Sequence, residues 1–344
     1  MSEGEGLNIA IIGATGAVGG DLLATLPKSA LPLRELRLFA SPASVGRVVE
    51  HGDRVHRVQA LGEDIGSTTM LEGVDLAFLA LPSEAARFVG PILAERGIMV
   101  VDIGGSLADR GPLVVPAVGA DSLQEAARER IVCSPSAPGV LLATVLGALR
   151  EFAPVGAQGT VLLSAGAAGR AGVDELSGQV VAMFNQKEPP RRVFPNGLAF
   201  DLLPGPGAVR PPDDPLAGWT DAEVRLASEV AAVVDLPAPR LAFSLMTAPF
   251  FSGLVASLQI ELEHEANMDE LRAALGSARG LNLADPVPGP RRVVGRSALF
   301  VGRLRNDPSG SGGLHLLAVG DNLRFGASNN AIAIATALWE GGLL

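Results

Sequence analysis

The sequence predicts an α/β protein in two parts, a doubly wound parallel sheet followed by an α+β domain. Three observations predict it. An apolar run, Asn8-Ile9-Ala10-Ile11-Ile12, leads straight into Gly13-Ala14-Thr15-Gly16-Ala17-Val18-Gly19 and a helical stretch. Between residues 7 and 134, short apolar runs alternate with helical ones, the pattern of strand–helix–strand units in a parallel sheet. After residue 139 the pattern changes to one long apolar helix and then alternating runs separated by Pro/Gly-rich segments. A chain of 344 residues is long enough for two domains.

In order, the first domain is expected to carry strands at 8–12, 36–40, 76–81, 99–102 and 131–133, with helices at 18–26, 84–95 and 120–128. Ligands of such sheets sit at the carboxyl ends of the strands. The loops that matter are therefore 13–19, 41–46, 81–84, 102–110 and 134–138. A helix at 139–152 opens the second domain, and strands follow at 159–164, 241–247, 253–262 and 315–319. Pro/Gly-rich stretches at 187–197, 203–216 and 284–290 punctuate them. A last helix, 329–340, follows a strand and the loop Gly326-Ala327-Ser328, so it is expected to return to the first domain. The expected boundaries are 1–134 and 135–326, with 327–344 packing back on the first. No internal repeat is visible.

Composition removes several classes of function. The formal net charge is −10, which argues against nucleic acid, because duplex binding leans on a basic face. No apolar stretch reaches the roughly 18–20 residues of a membrane span. The longest run, residues 140–149, is helix-length for a globular core. No basic segment followed by an apolar one opens the chain, so no secretory leader is expected. A single cysteine fits a reducing cytoplasm, and four scattered histidines give no ligand spacing, so no metal site is expected.

The glycine loop has a physical rationale. Glycines let the backbone turn sharply and approach a pyrophosphate, and the helix that follows points free N–H groups at the anion. A lone glycine pattern says little, but this one follows a strand and opens a helix, the context a Rossmann-type dinucleotide site requires. Gly13, Thr15, Gly16, Ala17 and Val18 are the expected cofactor contacts. The second strand ends in Ser41-Pro42-Ala43-Ser44, with no acidic residue between Arg37 and Arg47 to accept from a ribose 2′-hydroxyl. Ser41 and Ser44 beside Arg47 suit a 2′-phosphate, so NADP is favoured over NAD. The plainer reading of Arg47 is a solvated loop cation.

Further motifs run along the chain: Val114-Val115-Pro116, Gly169-Arg170-Ala171-Gly172-Val173-Asp174-Glu175-Leu176, Val301-Gly302-Arg303-Leu304-Arg305, and Gly320-Asp321-Asn322-Leu323-Arg324 before Gly326-Ala327 and Asn330-Ala331-Ile332. With the glycine loop and Ser41-x-x-Ser44-x-Gly46, this set resembles the aspartate-semialdehyde dehydrogenase family over nearly the whole chain. The resemblance implies reductive dephosphorylation of aspartyl phosphate by NADPH. In that reaction a cysteine attacks the acyl phosphate, a histidine handles protons and an arginine grips the substrate carboxylate. It also implies a homodimer built mainly by the second domain, where apolar strands between 241 and 262 need cover.

The residues that would do this chemistry are absent. The family's cysteine, at the head of a helix, falls on Ala137 in Ser134-Pro135-Ser136-Ala137-Pro138-Gly139-Val140-Leu141, and its glutamine falls on Leu141. Pro138 suits a first helical turn and Ser136 can cap it, so the turn is complete without a nucleophile. The arginine, seven residues before the histidine, falls on Ser244, and the histidine on Phe251. Arg225 takes a phosphate-contacting lysine position, Ala222 the acidic one before it. Neighbouring Glu223 is weighted toward a capping box with Thr220. The acidic-Asn pair reads Ala117 and Gly119, and a late lysine reads Phe325. Cys133 lies four residues from Ala137, up to ~13 Å along an extended chain, and reads as a small core hydrophobe. His51, His56, His264 and His315 stand elsewhere.

No catalytic residue is therefore assigned. The chain reads as a Usg-type paralogue within the family, an NADP-binding homodimer without the dehydrogenase activity. The alternative is an active NADP-dependent oxidoreductase, either on aspartate semialdehyde or on another substrate held in an apolar pocket of Ala137, Leu141, Phe250 and Phe251.

Overall fold

A computed structural model describes residues 6–51, 54–61, 65–308 and 313–344. The chain divides into two compact units, Met1–Ser136 with Ala327–Leu344, and Ala137–Gly326.

The first unit runs β1 (Leu7–Ile12), α1 (Ala17–Thr25), β2 (Leu33–Phe39), β3 (Val48–His51), β4 (Arg54–Arg57), β5 (Leu76–Leu79), α2 (Ser83–Glu95), β6 (Met99–Asp102), α3 (Leu123–Glu129) and β7 (Ile131–Cys133). Its five-stranded sheet has the order β2-β1-β5-β6-β7 and is parallel throughout. All residues of β1, β5, β6 and β7 are buried, as strands covered on both faces must be. Only the edge strand β2 carries exposed charge, and it begins three residues earlier than its apolar run because Arg34 and Glu35 are tolerated at an edge. The third strand stops at Leu79 rather than Leu81, since Pro82 caps α2 and cannot continue a ladder. The short antiparallel hairpin β3–β4 is an addition to the expected elements.

The second unit runs α4 (Ala137–Ala148), β8 (Pro154–Leu163), α5 (Gly169–Phe184), β9 (Leu203–Pro204), α6 (Asp221–Val234), β10 (Leu241–Thr247), β11 (Leu254–Leu262), α7 (Met268–Ser277), β12 (Leu281–Leu283), α8 (Pro290–Val293), β13 (Leu299–Asn306) and β14 (Leu314–Gly320). Its seven-stranded mixed sheet has the order β12-β13-β14-β11-β8-β10-β9. Strands β10 and β11 alternate strictly. Leu241, Phe243, Leu245 and Thr247, with Leu254, Ala256, Leu258 and Ile260, are buried. Helix α6 packs on β10 and α4 packs on α6, so these helices cover the inward face. A fully buried Phe243 contributes about 2–3 kcal/mol of apolar transfer. The outward face is mixed, with Gln158, Thr160, Ser244 and Ser257 among half-exposed Leu162, Met246 and Val255.

A π-helical turn, Arg324–Asn329, leads into α9 (Asn330–Glu340). Ala331, Ile332, Ile334, Ala335 and Leu338 of α9 share one core with Leu22, Leu38, Val101 and Val132 of the first unit.

Candidate functional site

In the first unit the site begins at β1. Gly13 has φ +93°, open to glycine at low cost, and a side chain there would overlap the Ala80 carbonyl that follows β5. A Cβ at Gly19 would overlap the Gly13 carbonyl in the same way, so the first turn of α1 is pressed against the loop. The Gly13 and Ala14 N–H groups both donate to the Phe39 carbonyl, at 2.8 and 3.0 Å, which ties the loop to the end of β2. Gly16 is the N-cap of α1 and is exposed with Ala17, and no acidic residue lies in the helix's first turn. Neighbours β2 and β5 leave β1 on opposite sides, so its carboxyl end is a topological switch point, where ligands of such sheets bind. The Thr15 and Ser44 hydroxyls are 3.2 Å apart, which joins the glycine loop to the Ser41–Ser44 turn. Ser41 and Arg47 are exposed beside it. Exposed N–H groups at the positive end of α1, with no acidic residue in its first turn, and hydroxyls across the loop fit a dinucleotide.

In the second unit α4 opens at Ala137, which is half-buried. A Cβ on Gly326 would stand 2.5 Å from the Ala137 Cβ, so this glycine is required by close approach. The approach is built by Asp321, a nearly fully buried carboxylate. It accepts from the Leu323 and Arg324 N–H groups at 2.9 and 3.3 Å and from Gly295 N–H. Its carbonyl accepts from Phe325 and Gly326 at 3.1 and 3.0 Å. Asn322 Oδ1 accepts from Gly253 N–H at 2.7 Å and anchors the β10–β11 turn. The Ala165 and Gly166 N–H groups reach the Phe250 and Phe251 carbonyls of that turn at 2.9 and 3.0 Å. Asp321 and Asn322, read in the sequence only as parts of a motif, are thus framework of this site. In the first unit Asn330 does similar work, donating to Val114 O and Ser134 Oγ at 3.0 and 2.8 Å.

Strand register sets the surroundings of two expected positions. Ser244 pairs with Thr160 and points outward, on the face opposite the helices, three residues before the end of β10. Phe251 is 48% exposed in the turn. The two do not share a row. Thr247, Leu163, Leu254 and Gly320 do, through successive pairings across β10, β8, β11 and β14, and Thr247 and Leu254 are buried on the inward face. They also stand seven residues apart. Thr247 and Leu254 thus offer a second seven-residue frame, three positions on from Ser244 and Phe251. Neither frame contains an arginine or a histidine.

Arg225 Nε lies 2.7 Å from Glu229 Oε1, one turn on along α6, where Glu229 is buried. Glu223 is engaged at both oxygens: Oε2 accepts from Thr220 N–H at 2.9 Å in a capping box, and Oε1 accepts from Leu245 N–H at 2.9 Å. Cys133 is buried at the end of β7, its sulfur 4.0 Å from Asp102 Oδ2. His56 Nδ1 is 3.0 Å from the Leu36 carbonyl, His315 Nε2 is 3.7 Å from Asp307 Oδ1, and His264 is exposed. Among the described residues no group of three or more His, Cys, Asp or Glu could hold a metal ion.

One buried polar pair was not singled out from the sequence. Glu175 on α5 is buried and accepts from the Arg192, Val193 and Phe194 N–H groups at 2.8, 2.7 and 2.8 Å and from Gln179 Nε2 at 3.2 Å. Burial pushes its pKa up, but the three backbone donors and the Gln179 amide outweigh that and hold it below the ordinary carboxylate value. Gln179 Oε1 in turn accepts from Leu198 and Ala199 N–H at 2.7 and 2.9 Å. An irregular, Pro-rich segment following a helix needs acceptors for its N–H groups, and acidic and amide residues one turn apart were the available signal.

Residues 8–126 match the family model described as semialdehyde dehydrogenase, NAD binding domain, and residues 159–325 match semialdehyde dehydrogenase, dimerisation domain. A USG-1 protein homolog from Azotobacter vinelandii is 33% identical over 341 residues, 98% of each chain. An aspartate-semialdehyde dehydrogenase from Rickettsia bellii is 30% identical over 339 residues, 96% of this chain and 97% of its own. The crystal structure of aspartate semialdehyde dehydrogenase II from Vibrio cholerae, complexed with ASA, superposes with a TM-score of 0.91 at 28% identity. That match covers 98% of this chain and 99% of that one.

Proposed function

Because the chain belongs to the aspartate-semialdehyde dehydrogenase family, we propose that it binds NADP as a homodimer and has lost the family's dehydrogenase chemistry. The observation that carries this reading is Ala137 at the head of α4, with Gly326 packed on its Cβ: a helix N-terminus that would acidify a thiol presents a methyl group instead. The clamp and base positions are apolar or hydroxyl in either frame, Ser244 and Phe251 or Thr247 and Leu254. Arg225 remains a candidate for holding an anionic group, tempered by its ion pair with Glu229.

In the NAD(P)-binding domain, Gly13, Thr15, Gly16, Ala17 and Val18 would hold the pyrophosphate. Ser41, Ser44 and Arg47 would receive the 2′-phosphate, which favours NADP in the absence of an acid after β2. When bound, the cofactor supplies a hydride donor or acceptor. The single cysteine is buried and no described helix is long and apolar enough to cross a membrane, which supports a cytoplasmic setting as part of this proposal.

Gly16→Asp tests the cofactor site. Aspartate is a good N-cap residue, so α1 is kept. Its carboxylate sits where a phosphate would, and two charges ~4 Å apart near a surface repel by about 4 kcal/mol. Fluorescence titration of NADPH is expected to show affinity falling by at least about 100-fold. The ligand-free melting temperature should hold. Equal binding by both proteins, or by neither, would refute the assignment.

A further inference from the structure

We propose that Arg291, Arg292 and Arg296 form a binding site for a small molecule that carries clustered phosphate charge, distinct from the glycine loop of the first unit. Residues 286–306 contain five arginines and no acidic residue, in a chain of net charge −10. Elsewhere arginines find carboxylates: Arg37, Arg87, Arg170, Arg210, Arg225 and Arg272 each lie 2.7–3.6 Å from one. Arg291, Arg292 and Arg296 are exposed, and among the described residues none of the three is in an ion pair.

The segment that carries them is pinned in place. Val293 is fully buried, and the Gly295 N–H donates to the buried Asp321 carboxylate. Pro290 packs on the turn between β10 and β11, where a Cβ added to Gly253 would stand 3.0 Å from the Pro290 Cβ. The Arg292 N–H donates to the Gly289 carbonyl and the Arg296 N–H to the Val293 carbonyl, both at 2.9 Å. Two successive turns therefore keep the three arginine Cα atoms within about 12 Å of one another, a span that long guanidinium side chains can close on one ligand. Charges presented from a fixed backbone lose less entropy on binding.

Charge and reach decide the class of ligand. Arginine meets phosphate through two parallel N–H donors, and neighbouring arginines favour adjacent phosphates over a single one. A nucleic acid or an acidic protein would extend past the ~8 Å screening length of physiological salt and meet the negative remainder of the chain. A small ligand meets only the local positive field. Arg303 and Arg305 are not part of the site. Phe300 pairs with Val319 and Arg305 with His315, so Arg305 lies about 15 Å beyond Phe300 along β13.

The test is isothermal titration calorimetry on the full chain at low ionic strength, with sodium tripolyphosphate as the probe. The wild type is expected to bind about one probe per chain with a Kd of about 0.1–1 mM, the strength of a few exposed charge-assisted contacts. Arg291→Ser with Arg292→Ser and Arg296→Ser is expected to weaken binding at least about 10-fold. Gly16→Asp, and separately Arg303→Ser with Arg305→Ser, are expected to leave it unchanged. Circular dichroism melts check the fold. If the triple variant melts early, the milder pair Arg292→Gln with Arg296→Gln is read instead, with an expected loss of about 3-fold or more. Orthophosphate is expected to bind at least about 10-fold more weakly than the probe. A wild type that shows no binding at about 10 mM probe, or arginine variants that bind like it, would overturn the site. So would loss of binding in Gly16→Asp or in the Arg303 and Arg305 pair, which would place the probe elsewhere. Orthophosphate binding as tight as tripolyphosphate would overturn the clustered-charge assignment.

Discussion

The wild-type chain is expected to produce no NADPH from aspartate semialdehyde and phosphate, and Ala137→Cys is expected to leave that result unchanged. Catalytic groups act as a unit, so restoring one of several missing members gains little, and turnover should stay roughly 10⁴-fold or more below that of a competent site. A thiol at position 137 would gain acidity from the head of α4. It would still face the methyl-and-glycine contact with Gly326, a buried Leu141 in place of an amide, and no proton carrier. A dry, apolar row also disfavours a dianionic acyl phosphate. Register adds a sharper comparison. Ala137→Cys combined with Thr247→Arg and Leu254→His places new groups on the inward face and at the sheet end beside the Gly320–Gly326 turn. Ala137→Cys with Ser244→Arg and Phe251→His puts the arginine on the outward face. Trace turnover is expected from the first triple variant and none from the second. Thr247 and Leu254 are buried, so each preparation is read against its folded fraction. Robust turnover by the wild type or by Ala137→Cys alone would refute the loss of activity.

The two seven-residue frames around β10 show where sequence reasoning stops. Leu241–Thr247 and Leu254–Leu262 are legible as strands because their burial alternates, and β1, β6 and β7 because they are continuous apolar runs. Which residue of β10 reaches the site depends on pairing with β8 and β11, and a shift of odd length sends every side chain to the other face. That information is not local. The turn of the glycine loop is local, since Gly13 and Gly19 are demanded by contacts within a few residues and with the residue after β5, and a strand–turn–helix there was legible. Helix α5 lacked an apolar stripe: Gly169, Gly172 and Gly178 lower its propensity, and its buried face includes Glu175 and Gln179. The hairpin β3–β4 is four residues per strand with charges in both, too short for a period to show.

Glu175→Gln is expected to destabilise the protein by about 2–4 kcal/mol at pH 7, because one carboxylate oxygen that accepts two backbone N–H groups becomes an amide that opposes them. For a unit of this size that corresponds to a fall of roughly 5–15 °C in melting temperature. Glu175→Ala removes all four acceptor contacts and should cost more. The dependence on pH separates a charged clamp from simple packing. The folded carboxyl titrates below its ordinary value, about 4.3 when unfolded. A depressed folded pKa means the ionised group's contribution is full above the unfolded value and is lost as pH falls through the folded one. The wild-type advantage over Glu175→Gln should therefore be largest near neutrality and shrink steadily below about pH 4.3. Other carboxylates titrate alike in both proteins, so the difference between their urea midpoints isolates this group. A gap under 1 kcal/mol at neutral pH, or one that stays constant into acid, would show that the clamp is not held by charge.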